Sequence, residues 1–381
     1  MKIVIAPDSF KGSLTALQVS EAIEQGFKRI FPDAQMEKVP MADGGEGTVQ
    51  SLVDATGGQL LTETVTDPLG GKIDATYGIL GDGVTAVIEM AAASGLPLVP
   101  LGKRNPMLTT TYGTGELIKA ALERSCRKFI IGIGGSATTD GGAGVAQALG
   151  AKLLDADGKD IPFGGIGLSK LAKIDMSTMD KRIAETETVV ACDVDNPLTG
   201  PRGAAYVYSP QKGATPEQVE LLDKYLGHFA DIVKRDLSKD VKETSGAGAA
   251  GGLGAGLMAF LNAELKLGID IVIEASNLRK RMQGADLVIT GEGQLDEQTA
   301  YGKTPTGVSK IAKQTGIPVL AIAGGIAPGA ETSYQEGIDA MMSIAPGPIS
   351  LQEAIERAAE LIAETAERAA RIIKIGFNLV K

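Results

Sequence analysis

The chain has 381 residues, with 37 Lys and Arg against 47 Asp and Glu, a formal net charge of -10. That balance excludes nonspecific binding to nucleic acid or to an anionic membrane, which needs a basic face. Trp is absent, aromatics are 4%, and the 50 glycines follow no three-residue period, which disfavours base stacking and excludes collagen.

Lys2–Ala6 is a short apolar run and reads as a strand. A polar turn follows from Asp8 to Ser13, and Thr15 with Gln18 predicts a capping box. Val19, Ile23, Phe27 and Ile30 recur at helical spacing until Pro32 stops the helix. Glu37–Met41 reads as a second strand, and Thr48–Ala55 as a helix ended by Gly57-Gly58. Lys72–Leu80 and Val84–Met90 are β-rich, Glu116–Arg124 is helical, and Lys128–Ile133 is a strand. A Gly-rich turn and a small-residue helix occupy Ser136–Gly150, and Thr188–Cys192 is a further strand. Near the other end, Asp286–Thr290, Ile317–Ala323 and Ala340–Ile344 are strand-like. Ser350 and Glu353 open a long helix with Leu351, Ile355, Ala358, Ile362, Ala366, Ala369 and Ile373 on one face.

Strands alternating with helices predict a parallel α/β architecture, and this length suits two domains, possibly three. The two ends share one grammar and the middle has another. The expected arrangement is therefore a discontinuous, Rossmann-like α/β domain from residues 1–72 and 276–381, with a second α/β domain inserted at 73–275. Two cysteines, Cys126 and Cys192, make no disulfide framework and suit a reducing cytosol. The single histidine, His228, cannot build a His-rich metal site and reads as a surface or packing residue. The N-terminus lacks a signal-peptide core, and no run reaches the roughly 18 apolar residues of a membrane span. The expectation is a cytoplasmic protein, monomeric or homodimeric.

Several strand-to-helix turns carry chemistry. Ala6–Ser13 places Asp8 to hold a metal or orient a hydroxyl, and Lys11 to meet a carboxylate or phosphate, where open α/β sheets bind ligands. Met41–Thr48 sets Asp43 and Glu46 among three glycines, which suits a cation or substrate hydroxyls. Arg104 and the hydroxyls of Thr109–Thr114 precede a helix and make an anion-binding candidate. Ile131–Gly142 is the strongest phosphate cradle, with Asp140 able to position Mg²⁺. Its Gly132-x-Gly134-x-x-Ala137 spacing also matches a loose dinucleotide fingerprint. Asp193 and Asp195, beside Asn196, can bind metal or act as a base. Ser245–Gly256 repeats a G-x-G-x-x-G pattern, but no strand precedes it, so packing against ligand or backbone is expected there. Gly291, Gly293 and Lys303 can form a further phosphate site, although their spacing is no Walker A. Recurrent acid, Gly and hydroxyl at strand ends fit Mg²⁺-nucleotide phosphoryl transfer.

Six stretches taken together resemble the bacterial glycerate kinase family: Ala6–Ser13, Met41–Gly47, Arg104–Ile118, Gly132–Gly142, Ala191–Pro201 and Thr290–Asp296. They span nearly the whole chain. The resemblance implies ATP-dependent phosphorylation of D-glycerate at the 2-hydroxyl, with Mg²⁺. It also implies two unlike α/β domains with the active site in the cleft between them.

Within that resemblance, Asp193, Lys11 and Asp8 are expected to be catalytic, and Ser9, Asp43, Glu46, Arg104 and Thr111 to contact substrate. Gly134, Gly135, Ser136, Thr138, Thr139, Gly291, Glu292 and Lys303 are expected at the nucleotide, and Asp195, Asp140 and Asp296 at the metal. Phosphorylation at the 3-hydroxyl, a nicotinamide-dependent oxidoreductase and a sugar-acid binding protein are the alternatives.

Overall fold

The structure is a computed structural model that describes residues 1–379, with all side chains except those at positions 300 and 301. No helix among the described residues is long and apolar enough to cross a membrane. The chain divides into two compact units. One comprises Met1–Asp43, Gln50–Gly57 and the chain from Ile269 onward; the other comprises Gly44–Val49 and Gly58–Gly268.

The first unit is built on a parallel sheet with strand order Ala340–Ser343, Val319–Ala323, Leu287–Thr290, Lys2–Ile5, Gln35–Lys38. Ile3 stands opposite Leu287, so the two ends of the chain meet at the middle of the sheet. Val4, Ile5, Val288, Ile289, Ala321 and Ile322 are buried, as continuous apolar strands of a covered parallel sheet should be. The second strand is placed earlier than its sequence suggests, at Gln35–Lys38, although the N–H groups of Val39 and Met41 still donate to the Ile5 and Pro7 carbonyls.

The helix Ala16–Lys28 begins with the expected capping box. Thr15 Oγ1 accepts from the Gln18 N–H, and Gln18 Oε1 accepts from the Thr15 N–H. Its Val19, Ile23 and Phe27 enter one core with Ile3, Ile289, Ile322 and Leu361. The C-terminal helix differs from expectation. It is two helices, Leu351–Glu356 and Ala358–Leu379, separated at Arg357, where φ is -102°. Ser350 caps the first of them, but Leu351 is 77% exposed. The apolar face therefore starts at Ala358, since the short first helix buries nothing.

The second unit has a six-stranded mixed sheet, in the order Glu264–Lys266, Glu187–Ala191, Lys128–Gly132, Thr85–Glu89, Lys72–Ile79, Gln59–Thr66. The first four are parallel, and the last two are added antiparallel. Gln59–Thr66 pairs with Lys72–Ile79 from Gln59 opposite Ile79 to Thr66 opposite Lys72. A boundary at 72 falls inside this ladder, and the sequence pattern missed the outer strand. Half of that edge strand is exposed and only Val65 and Thr66 are buried, so its Leu, Thr and Glu residues show no apolar face.

Candidate active site

In the first unit, residues just beyond the strands Lys2–Ile5 and Leu287–Thr290 line a cavity of about 320 Å³. Asp8 is 4% exposed there. Its Oδ1 accepts from the Ser9 N–H at 2.6 Å and its Oδ2 from the Thr304 hydroxyl at 2.8 Å. Burial, reinforced by the charge of Asp43, pushes its carboxyl up to about 6. Glu292 accepts from the Thr299 hydroxyl at 2.8 Å, and burial pushes it up to about 7. Lys303 Nζ lies 3.3 Å from Asp296 and 4.0 Å from Glu292, and Lys11 Nζ lies 3.7 Å from Asp43. Four carboxyls and two ammoniums thus share one cavity. Gly291 is obligatory at its edge, because a Cβ there would sit 1.9 Å from the Ile322 carbonyl oxygen.

In the second unit, the strand Lys128–Gly132 delivers the glycine-rich loop. Gly134 and Gly135 are exposed, and Gly135 turns the chain at φ 74°. Among the described residues, neither N–H is used by a backbone carbonyl. The next residues turn inward. Asp140 is fully enclosed: Oδ2 accepts from the Thr111 N–H (2.8 Å), the Thr111 hydroxyl (2.9 Å) and the Gly144 N–H (3.3 Å), and Oδ1 from the Gly142 N–H (3.2 Å). The Thr139 and Ser209 hydroxyls pair at 3.0 Å. Lys212 Nζ donates to Ser136 Oγ and to the Thr138 carbonyl, both at 2.6 Å.

The second glycine run lies directly beneath this loop. In the helix Ala249–Leu261, residues Ala250, Gly251 and Gly252 adopt left-handed backbone. The Gly251 carbonyl accepts from the Gly141 N–H at 3.1 Å. Its G-x-G-x-x-G pattern therefore serves close backbone packing.

A second cavity, of about 330 Å³, is lined by Asp193 and Asp195 with Cys192, Ser245 and Lys266 among its neighbours. Asp193 Oδ1 accepts from the Gly268 N–H at 2.9 Å. Asp195 takes Arg202 Nη2 on both oxygens at 2.9 Å. Asn196 accepts from the Tyr208 hydroxyl at 2.6 Å. Both aspartates are exposed.

The expected residues fall into three sets. Asp8, Ser9, Lys11, Asp43, Glu292, Asp296 and Lys303 line one cavity. Asp193 and Asp195 line another. Gly134 and Gly135 present an exposed backbone, whereas Ser136, Thr138 and Thr139 are buried. Thr111 and Asp140 are buried against each other, with the Thr111 hydroxyl donating to the Asp140 carboxylate. Arg104 is half-buried, with no partner for its Nε among the described residues. Glu46 is exposed near Glu89, whose carboxylate accepts from the Val49 N–H at 2.9 Å. His228 packs, with Nε2 at 2.6 Å from the Leu171 carbonyl.

Sequence reasoning missed Lys212, Thr304 and Glu89. Thr304 follows Lys303 and was within reach as one more hydroxyl of that segment. Lys212 is a lone lysine in a Ser-Pro-Gln-Lys-Gly turn, and no pattern marks it.

The model of the glycerate kinase family matches residues 3–374. The chain is 58% identical over 375 residues to glycerate kinase of Bacillus subtilis strain 168, covering 98% of each. It is 53% identical over 378 residues to glycerate 2-kinase of Escherichia coli K12, covering 99% of each. The crystal structure of a candidate glycerate kinase 2 from Salmonella typhimurium LT2 superimposes with a TM-score of 0.93 at 53% identity, covering 99% of each chain. Fold, sequence and the acid-and-glycine turns agree, and the chain belongs to the glycerate kinase family.

Proposed function

We propose that this protein transfers the γ-phosphoryl group of ATP to the 2-hydroxyl of D-glycerate, giving 2-phosphoglycerate and ADP. The observation that carries this reading is the near full-length similarity to relatives named glycerate kinase. The 2-position is supported by the E. coli relative, named glycerate 2-kinase.

In this reading the first unit's cavity receives glycerate. Lys11 and Lys303 meet its carboxylate. Asp8 accepts the hydroxyl proton, because a carboxyl held near 6 is charged at neutral pH yet still basic enough to take a proton. Glu292, held near 7, keeps a proton part of the time and can donate a hydrogen bond to the substrate. In the second unit, the N–H groups of Gly134 and Gly135 receive ATP phosphates.

Mg²⁺ usually takes one or two carboxylates and completes its shell with phosphate oxygens and water. Asp193 and Asp195 fit that demand, being exposed and two residues apart on one cavity. Among the described residues no three His, Cys, Asp or Glu side chains gather to hold a metal unaided, so the phosphates would complete the site. When bound, Mg²⁺ supplies neutralisation of the phosphate charge. A cytoplasmic setting suits the two free cysteines.

The test is ³¹P NMR of the protein with D-glycerate, ATP and MgCl₂. A 2-phosphoglycerate signal growing with ADP is the expected result. A 3-phosphoglycerate signal overturns the regiochemistry, and unconsumed ATP with folded protein overturns the activity.

A further inference from the structure

The glycine-rich loop of the second unit stands on a buried lysine. Lys212 is 1% exposed, and its Nζ donates to Ser136 Oγ and the Thr138 carbonyl at 2.6 Å each. Its neighbours grip the same region. Ser209 meets Thr139, and Gly213 packs so closely that a Cβ would lie 2.4 Å from the Arg104 carbonyl oxygen. Both acceptors of the ammonium are uncharged. Asp140 attracts it, but that carboxylate is already taken up by Thr111, Gly142 and Gly144. Burying a cation on neutral acceptors is costly. Apolar packing would support the loop more cheaply, so the cost points to use of the charge.

The direction of the hydrogen bond says how. The ammonium donates to Ser136 Oγ, which leaves the Ser136 hydroxyl hydrogen to be donated onward. Ser136 directly follows the exposed Gly134 and Gly135. We propose that Lys212 is a positioning residue for polyphosphate: its buried ammonium polarises the Ser136 hydroxyl and aims it at an anion held by the Gly134–Gly135 backbone. The inference rests on the reading of this loop as the phosphate site. Burial also pushes the amine down to about 7, with Asp140 opposing that shift.

The test is calorimetric titration of the intact protein with ATP, ADP and adenosine, with steady-state KM values alongside. Lys212→Met should weaken ATP by about tenfold or more, the scale of one charge-assisted hydrogen bond. ADP should lose less and adenosine nothing, and the KM for glycerate should not move. Lys212→Gln, a donor without charge, should recover only part of the ATP affinity. Ser136→Ala should reproduce the loss with Lys212 in place. Unchanged ATP affinity in folded Lys212→Met overturns the proposal. So does an equal loss for adenosine and ATP, which marks mere loop support. If neither Lys212 variant folds, Ser136→Ala decides, since wild-type ATP affinity there removes the relay. A wild-type protein that binds neither ATP nor inorganic tripolyphosphate refutes the phosphate-site reading itself.

Discussion

The Thr304 hydroxyl donates to Asp8 Oδ2 at 2.8 Å, joining residues 296 apart in sequence. It ties the turn after the first strand to the start of the helix Thr304–Gln314. The bond stabilises the charged carboxylate, against burial and against Asp43, which both disfavour it. Thr304→Val removes the donor and sends the Asp8 carboxyl above its present value of about 6. With Asp8 as proton acceptor, the acid limb of kcat/KM then moves to higher pH by up to about one pH unit, the worth of one such bond. Thr304→Ser keeps the hydroxyl and should leave the limb in place. A pH–rate profile of both variants checks this, and a limb that stays put in Thr304→Val takes Asp8 out of that role.

Asp8 also makes a statement about stability. Its carboxyl titrates near 6 folded and near 3.8 when unperturbed. Between those values the folded state holds a proton that the unfolded chain has released, so stability falls as pH rises through the window. Above about 6 the loss is complete. At about 1.4 kcal/mol per tenfold change in proton affinity, it amounts to about 3 kcal/mol. Asp8→Asn never ionises. It should exceed the wild type by up to about 3 kcal/mol near pH 8 and match it below about pH 4, read from urea unfolding. The same variant should lose roughly 10²–10⁴ in kcat. A variant that is both more stable at alkaline pH and inactive would fit a site strained for its chemistry.

Much of this was legible because some signals are local. The apolar strands Lys2–Ile5 and Leu287–Thr290 announced themselves as runs, and the Thr15–Gln18 cap as a spacing. Asp8, Lys11 and Glu292 stand out because each follows a strand, and the parallel pairing of those strands brings them to one cavity with Lys303 from the start of the helix Thr304–Gln314. What stayed hidden depends on tertiary partners. Asp140 reads from sequence as a metal ligand, and nothing local shows that Thr111, 29 residues earlier, donates to its oxygen. Lys212 carries no pattern at all, since its meaning lies in being buried under Ser136. The edge strand Gln59–Thr66 is written in polar residues and is set by its hairpin partner.

Asp140 and Asp195 should separate cleanly by experiment. Asp140→Ala leaves the buried N–H groups of Thr111, Gly142 and Gly144 without their acceptor. At about 1–3 kcal/mol for each orphaned donor, the loss should be several kcal/mol of stability. Asp195 is an exposed partner of Arg202, so Asp195→Asn should cost less than about 1 kcal/mol. It should instead raise the Mg²⁺ concentration needed for half-maximal rate. Denaturant midpoints and Mg²⁺ titrations of the two variants test the assignment, and the opposite pattern would return the metal to Asp140.

Gly251 gives the sharpest test of whether the lower glycine run supports the upper loop. Its φ is 72°, and a Cβ there would lie 2.0 Å from the Thr138 carbonyl oxygen, the same oxygen that Lys212 binds. Gly251→Ala must therefore displace backbone on top of about 1–2 kcal/mol of left-handed strain. The expected result is a folded protein weakened by about 2–4 kcal/mol, with a higher KM for ATP and an unaltered KM for glycerate. Gly134→Ala is the control on the exposed side of the loop. A Cβ there meets nothing within 4 Å, so stability should stay within about 0.5 kcal/mol of wild type. Should Gly251→Ala lose stability while its nucleotide KM stays at the wild-type value, the loop would be shown not to depend on that support for binding.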